Sequence, residues 1–216
     1  MKQRLQRNEY FFSVEGETEV WYLKHLQGLI HNNESRKIDP IITVKKTTPM
    51  KFLKTFSSLY QSTVTAVYDV EEPVDGQTVQ FESILKEMND AEKTGKSVKY
   101  ELGYSNIDFE LWVILHKKNL FRTIVNKEEY LKEINTVFST HFKRLSEYKV
   151  ERNFKSILNQ ITLEDVKEAI NRADIIEKQR NIDSVQINSC GYKWFPKNPS
   201  LSLHKSVNKI LKDCGI

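Results

Sequence analysis

The sequence predicts an α/β fold in which a mostly parallel sheet is flanked by helices. Before residue 109, short apolar segments typical of strands alternate four times with segments of helical spacing. From residue 109 onward, helical spacing predominates and strand signals nearly vanish. The alternation predicts parallel strands with right-handed crossovers, and the change of pattern predicts a helical addition to that core.

The elements of the first half follow one another in a regular order. Predicted strands cover residues 10–14, 38–44, 64–68 and 98–104. A helix is expected after Glu15-Gly16, a second helix opens at Pro49, and a third begins at Phe81 and ends before Gly95. Each predicted helix connects two strands, as a doubly flanked parallel sheet requires.

The second half divides the chain into three predicted parts. Residues 1–116 form the α/β core, residues 117–188 a helical insertion or lid, and residues 189–216 a C-terminal loop and helix that pack back on the core. Thr162 and Asp165 have the spacing of a capping box, and Leu163, Val166 and Ala169 fall on one face of the following helix. The last helix is expected to start near Ser200.

Composition narrows the class of protein. The 216 residues are 39% hydrophobic, yet no run approaches the roughly 20 apolar residues of a membrane span. The polar start of the chain lacks the apolar stretch of a secretory signal, so a cytoplasmic protein without membrane contact is expected. Cys190 and Cys214 lie far from any CxxC or Cys/His pair, which argues against a disulfide framework and a zinc site built on cysteine.

Charge is unevenly distributed along the chain. The net charge is +4, whereas residues 64–92 contain eight acids and a single base, Lys86, which leaves a local charge of −7. An acidic site within a basic protein suits a metal-assisted enzyme that acts on a polyanion. Charge alone favours the simpler interpretation, a solvated loop and helix.

Acidic residues stand at the ends of two predicted strands. Glu15 ends the first strand, and Asp69 and Glu71 follow the third. Because parallel strands present their carboxyl ends at one edge of the sheet, these acids are expected to converge into an all-oxygen site for Mg²⁺ or Mn²⁺. Gly16 permits a tight turn, and the helix after it directs its N-terminus toward a phosphate.

Other interpretations of the same acids stay open. Glu17 or Glu19 can simply compensate a helix dipole, and the segment after Asp69 can be a solvated turn. A receiver-like regulatory domain also carries a phosphoaccepting aspartate after its third strand and a Ser or Thr after its fourth, a position that Ser105 fits. The extra hundred residues and the absence of a convincing fifth strand ending in lysine argue against it.

Four strings resemble known families. VEGETE and VYDVEE resemble the two Toprim motifs, a glutamate-glycine turn and a DxD element. SNIDFELWVILH and KNPSLSLHKSV resemble the centre and C-terminal element of the RloB-like family. The resemblance implies a Toprim-like, Rossmannoid core and assigns Glu15, Asp69 and Glu71 to metal binding and catalysis, with DxE in place of DxD. A degenerate, non-catalytic toxin or adaptor is the alternative that this departure leaves open.

The resemblance also implies a function. It points to a nuclease in abortive-infection phage defence that depends on Mg²⁺ or Mn²⁺ and works beside a separately encoded ABC-type ATPase. The choice between DNA, tRNA and other RNA stays open, as does assembly into a homo-oligomer.

Further residues are candidates for supporting roles. Those near the expected site are Gly16, Glu19, Ser105, Asn106, Glu110, His116, Asn198, Ser200 and His204. Candidates for nucleic-acid contact are Lys45, Lys46, Lys193, Trp194 and Lys197, among which Trp194 between lysines could stack on an unpaired base. Each has a simpler explanation: solvated surface for the lysines, and helix capping for Ser200.

Overall fold

A five-stranded sheet forms the centre of the computed structural model, which describes residues 5–56, 60–70 and 78–216. The strands are β1 (Gln6–Val14), β2 (Ile38–Lys46), β3 (Ser62–Asp69), β4 (Val98–Asn106), β5 (Ile187–Ser189), β6 (Tyr192–Trp194) and β7 (Ser200–Leu201). The sheet order is β2-β1-β3-β4-β7, and β5 pairs with β6 in a separate hairpin. Strands β1 to β4 are mutually parallel, and β7 is antiparallel to β4. The predicted α/β class and mostly parallel sheet are therefore confirmed.

Helices surround this sheet and fill the second half of the chain. They are α1 (Glu17–Asn32), α2 (Pro49–Lys54), α3 (Thr78–Glu92), α4 (Glu110–Leu115), α5 (Lys127–Val137), α6 (Leu145–Tyr148), α7 (Glu151–Leu158), α8 (Leu163–Asp183) and α9 (Leu203–Asp213). The capping box of α8 forms as predicted, with reciprocal hydrogen bonds between Thr162 and Asp165. None of the helices within the described ranges has the length and apolar character that would let it cross a bilayer.

Backbone pairing aligns the carboxyl ends of the central strands. Val14 lies opposite Val67, and Asp69 lies opposite Ser105. The Glu15 amide continues the ladder by donating to the Val67 carbonyl at 3.2 Å. These pairings bring the residues that follow β1, β3 and β4 to one edge of the sheet.

Alternation along the strands separates two apolar clusters. In β3, Ala66 faces one cluster and Val67 the other, as the two-residue period of a strand requires. The larger cluster joins all three predicted parts of the chain, since it contains Phe12, Tyr22, Trp112, Ile157, Val166 and Val207. The smaller cluster contains Phe52, Leu85, Tyr100 and Trp194. The apolar packing therefore runs across residues 116 and 188. The division of the chain at these two residues stays a prediction.

The C-terminal segment differs from its predicted form. The expected loop contains the β5–β6 hairpin and the edge strand β7, and the last helix begins at Leu203 with Ser202 at its N-cap. Ser200 lies in β7 and does not cap α9; its hydroxyl donates to the Phe195 carbonyl at 2.8 Å. Each of these strands is three residues or shorter, too short for an alternating apolar pattern to emerge.

Candidate functional site

A cavity of about 320 Å³ opens at the carboxyl ends of the parallel strands. It is lined by Glu15, Gly16, Glu17, Thr18, Glu19, Asp69, Asp108, Lys127 and Lys149. The residues come from the β1–α1 turn, the end of β3, the segment after β4 and the helical insertion. Acids and two lysines distant in sequence thus meet where a parallel sheet commonly binds its ligands.

The turn between β1 and α1 holds two of these acids. The Asp69 amide donates to Glu15 Oε2 at 3.1 Å, which fixes the Glu15 carboxylate beside the end of β3. Glu19 is 3% exposed, and Thr18 Oγ1 donates to its Oε2 at 2.7 Å. A Cβ at Gly16 would lie 2.8 Å from the same Glu19 oxygen. A side chain at position 16 would therefore require the Glu19 carboxylate to move.

Crowding of acids changes the proton affinity of Asp69. Burial, followed by repulsion from Asp108 and Glu19, raises the pKa of Asp69 well above its ordinary value. Burial likewise raises the pKa of Glu19, with the charge of Glu15 adding to the effect. The carboxylates that repel one another would attract a cation placed among them.

Asp108 and Glu110 connect the cavity to the helical insertion. Both are almost fully buried, at 1% and 0% exposure. Lys149 Nζ lies 3.1 Å from Glu110 Oε1 and 3.4 Å from Asp108 Oδ1, and Lys127 Nζ lies 3.3 Å from Asp108 Oδ2. Two lysines of the insertion therefore balance two buried acids that belong to the core.

These contacts shift the pKa values of Asp108 and Glu110 in opposite directions. Burial raises the pKa of Asp108, but hydrogen bonding with Glu110 and the charge of Lys149 outweigh it, so the pKa of Asp108 falls below its usual value. Burial and the neighbouring Asp108 charge raise the pKa of Glu110 well above normal. Asp108 is thus the ionised member of the pair, and a proton on Glu110 or on Asp69 can be shared with it.

The donor set of the cavity fits a hard cation that keeps some of its water. Its acids supply only oxygen, which Mg²⁺ and Mn²⁺ prefer, and the ion pair with Lys127 is the contact recorded for the buried Asp108 Oδ2. In the described part of the chain, three donor atoms within 4.8 Å of one another occur at Asp174, Glu177 and His204, not in this cavity. At most two of the described acids of the cavity are therefore close enough to hold one Mg²⁺ directly, and waters would complete its coordination, as is common for this ion. Glu71, the predicted second acid, lies outside the described residues.

Three predicted support residues, at the end of β4 and in the segment after it, do not line the cavity. Ser105 is 1% exposed, and the Asn106 amide donates to the carbonyls of Phe195 and Pro196 at 3.3 and 2.9 Å. His116 is also buried: its Nδ1–H donates to the Trp112 carbonyl at 2.9 Å, so Nε2 accepts from the Tyr22 hydroxyl at 3.1 Å. Burial lowers the pKa of His116 to about 4. None of these three residues lines the cavity.

The C-terminal candidates also point elsewhere. Asn198 exchanges hydrogen bonds with the backbone of Ile124, at 2.9 Å to its amide and 3.1 Å to its carbonyl. His204 Nε2 faces Asp174 and Glu177 on α8, at 3.2 and 3.4 Å. Ser200 is hydrogen-bonded to Phe195, and none of Asn198, Ser200 and His204 lines the cavity.

The candidates for nucleic-acid contact have different surroundings. Trp194 is 3% exposed and packs edge-on against Phe81 with ring centroids 5.3 Å apart, which leaves its ring inaccessible to a nucleic-acid base. Lys197 pairs with Asp183 at 2.7 Å. Lys46 lies 3.5 Å from Glu17 at the rim of the cavity, while Lys45 and Lys193 are exposed.

Five residues of the cavity were not among the predicted site residues, namely Glu17, Thr18, Asp108, Lys127 and Lys149. Asp108 stands two residues after the end of β4, so the rule that identified Glu15 and Asp69 also applies to it. Lys127 begins α5, and Lys149 follows α6. No local pattern distinguishes these lysines from other lysines of the insertion, and only the folded chain brings them to the acids.

Comparison with known proteins identifies the family. The chain is 30% identical over 132 residues to a UPF0763 protein of Nautilia profundicola, an alignment that covers 60% of this chain and 98% of that protein. No solved structure gives a significant match. The model of a family described as RloB-like protein matches residues 10–210. Because this match spans most of the chain, the protein belongs to the RloB-like family.

Proposed function

We propose that the protein is a metal-dependent phosphodiester hydrolase that cleaves nucleic acid in the defence of a cell against phage. The observation that carries the proposal is the meeting of Glu15, Glu19, Asp69 and Asp108 around one open cavity, beside two lysines and the N-terminus of α1. Acids that repel one another favour a divalent ion between them. The lysines and the helix N-terminus beside them favour a phosphate.

Glu15, Asp69 and Asp108 are the residues that would hold Mg²⁺ or Mn²⁺. When bound, such an ion supplies neutralisation of phosphate charge and acidification of water near neutral pH. Glu71 is proposed as a further ligand, in keeping with the DxE motif of which it is the second acid. The sheet holds Asp69 and Glu15 in a fixed relation through the 3.1 Å hydrogen bond between them.

The remaining residues of the cavity would bind and orient the phosphodiester. The N-terminus of the 16-residue helix α1 faces the cavity, and its free amides and dipole favour an anion there. Lys149 is 38% exposed, so it can pair with Glu110 and still present positive charge to a phosphate. Asp108, the ionised member of its pair, is placed to accept a hydrogen bond from the protonated carboxyl group of Asp69 or Glu110.

A second cavity beside α1 supports contact with unpaired bases. It measures about 500 Å³ and is lined by Val20, Trp21, Lys24, His25, Lys155, Leu158 and Asn159. Trp21 is half-buried, and Val20 follows Glu19 directly in α1. An aromatic ring between lysines is a common platform for single-stranded nucleic acid. We therefore propose that Trp21, and not Trp194, stacks on an unpaired base.

The broader assignments rest on motif order. We propose that β1 to β4 are related to Toprim domains, that the protein resembles the lactococcal abortive-infection protein AbiLii, and that an ABC-type ATPase is its partner. The Glu15-Gly16 turn and the acid at the end of β3 support the Toprim relation, and the likeness to AbiLii and the ATPase partner rest on the resemblance of the sequence motifs.

A cleavage assay tests the proposed activity. Purified protein is incubated with Mg²⁺ or Mn²⁺ and pooled RNA and DNA, and the products are resolved on gels. Glu15→Gln and Asp69→Asn are expected to lower the cleavage rate by at least about 100-fold, because each removes an ion ligand. Glu164→Gln, an exposed acid of α8, is the matched control. Undiminished cleavage by both site variants would refute the proposal.

One observation favours a non-catalytic alternative. Lys127 and Lys149 already balance Asp108 and Glu110 without a metal ion, as in a purely structural ion-pair network. On this reading the protein is a toxin or adaptor that binds nucleic acid or an ATPase. Binding without any cleavage, unchanged in Asp69→Asn, would support it, whereas a stable acyl-phosphate at Asp69 would indicate a receiver-like regulator.

A further inference from the structure

A second cluster of ligating side chains lies away from the proposed active site. Asp174 and Glu177 lie one turn apart on α8, and His204 lies in the first turn of α9. Their donor atoms all fall within 4.8 Å of one another. None of the three residues lines the cavity at the ends of the parallel strands.

The imidazole of His204 is the distinctive member of the cluster. It is 1% exposed, and neither of its ring nitrogens completes a hydrogen bond. Its Nε2 nevertheless faces Asp174 Oδ1 at 3.2 Å and Glu177 Oε2 at 3.4 Å. A buried ring nitrogen without a hydrogen bond is costly, so a cation held between Nε2 and the two carboxylates would satisfy Nε2.

The spacing of the donors matches one coordinated ion. Nitrogen and oxygen ligands held at about 2.0–2.1 Å from a tetrahedral zinc ion lie about 3.3 Å from each other. The two distances from His204 Nε2 are close to that separation. The Asp174 side chain is 46% exposed, so water can reach the remaining coordination positions.

Lys205 is the competing cation, because its Nζ contacts Glu177 Oε1. The other carboxylate oxygen of Glu177 is the one that faces His204. Lys205 is also more than half exposed, which weakens its pairing. Glu177 can therefore keep the lysine on one oxygen and offer the second oxygen to an ion.

We propose that Asp174, Glu177 and His204 form a binding site for a first-row transition-metal ion, with zinc as the probe. Imidazole together with carboxylate favours zinc, manganese or iron over Mg²⁺, which prefers oxygen alone. The ion joins α8 of the insertion to α9 of the C-terminal segment, so it cross-links two parts of the chain that are distant in sequence. Because binding is restricted to the folded chain, zinc raises the melting temperature.

The test is calorimetric titration of zinc into tag-free, EDTA-treated protein, with excess Mg²⁺ present to occupy the all-oxygen cavity. Wild type is expected to bind one equivalent, and Asp174→Asn to bind it at least about tenfold more weakly. Asp174 is partly exposed, so this substitution does not threaten folding. Glu164→Gln on the same helix, and Asp69→Asn in the proposed active site, are expected to bind zinc like wild type.

Substitution of cobalt gives an independent readout. A site with a nitrogen ligand and low coordination number gives visible absorption, which is expected for wild type and Asp69→Asn and lost in His204→Gln. Absence of zinc binding, or binding that survives both Asp174→Asn and Glu177→Gln, would overturn the proposal. Zinc binding lost only in Asp69→Asn would assign the ion to the active-site cavity and overturn it as well. The outcome is independent of cleavage activity.

Discussion

Asp69 is a residue of the candidate site whose protonation the fold perturbs. Its raised pKa means that the folded, metal-free chain binds more protons than the unfolded chain between the ordinary and the raised pKa. The contribution of Asp69 to stability is therefore present at low pH and lost as pH rises through that window. The charged form that metal binding requires is the form that destabilises the empty cavity.

Asp69→Asn is accordingly expected to raise the melting temperature of EDTA-treated protein at neutral pH and to leave it nearly unchanged near pH 4. Addition of Mg²⁺ should stabilise wild type and have much less effect on the variant. Scanning fluorimetry across pH measures both effects. Asp90→Asn, an exposed acid of α3, should behave like wild type, and a variant less stable than wild type at neutral pH would contradict this account.

Lys149 is the second residue with a measurable role. Lys149→Met leaves Glu110, which is fully buried, and Asp108 without their shared cation. Fully buried pairs lose about 3–5 kcal/mol on such a change, but Lys149 is 38% exposed, so we expect a loss of about 2 kcal/mol.

Urea denaturation measures the free energy of unfolding of this variant. The exposed pair of Lys155 with Glu151 provides the control, and Lys155→Met should cost less than about 0.5 kcal/mol. Adding Asp108→Asn to Lys149→Met should recover part of the loss, because Asp108 is the ionised member of the pair and the amide removes its charge. Equal losses for Lys149→Met and Lys155→Met would show that the buried pair contributes little.

The residues of the site were predictable only where backbone geometry determined them. Glu15 and Asp69 follow predicted strands, so the convergence of parallel strands brings them together. Lys149 lies in an insertion whose spacing predicts helices and says nothing about which polar face meets the core. Trp194 shows the opposite error: flanking lysines suggested a surface position, but the ring packs in the smaller apolar cluster.

At the scale of elements, helix α8 depends on its N-terminal cap. Thr162 Oγ1 accepts from the Asp165 amide at 3.2 Å, and the Thr162 amide donates to Asp165 Oδ2 at 2.8 Å. Thr162→Ala removes the first of these bonds, and we expect it to cost about 1 kcal/mol of unfolding free energy in urea denaturation. Thr136→Ala, an exposed position within α5, should change stability by less than about 0.5 kcal/mol. Similar values for the two variants would show that the cap is dispensable.

The elements that the sequence predicted are those with a long repeating pattern. β1 to β4 each span eight or nine residues, and their predicted cores at 10–14, 38–44, 64–68 and 98–104 all fall within them. β7 is a pair of residues held by β4 and by the Ser202 hydroxyl, which donates to the Leu102 carbonyl at 2.6 Å. Such an edge strand is specified by contacts with distant residues, and local sequence carries almost no signal for it.

For the whole molecule, the shared apolar cluster predicts cooperative unfolding. Because Tyr22, Ile157 and Val207 belong to one cluster, the helical insertion should not melt before the sheet. Far-ultraviolet circular dichroism, dominated by helices, and tryptophan fluorescence from Trp21, Trp112 and Trp194 should give coincident urea transitions. A separate early loss of helix would instead establish the insertion as an independent domain.

Because the chain is synthesised from its N-terminus, the acids of the site leave the ribosome before the lysines that pair with them. A chain still on the ribosome that has emerged only as far as α4 contains Glu15, Asp69 and Asp108 but neither Lys127 nor Lys149. Asp108 then lacks both of the lysines that pair with it, and the outer edge of β4 stays uncovered until β7 is translated. Nascent chains therefore expose an unpaired strand edge while the residues between β4 and β7 are translated, and binding by a ribosome-associated chaperone should be strongest during that interval.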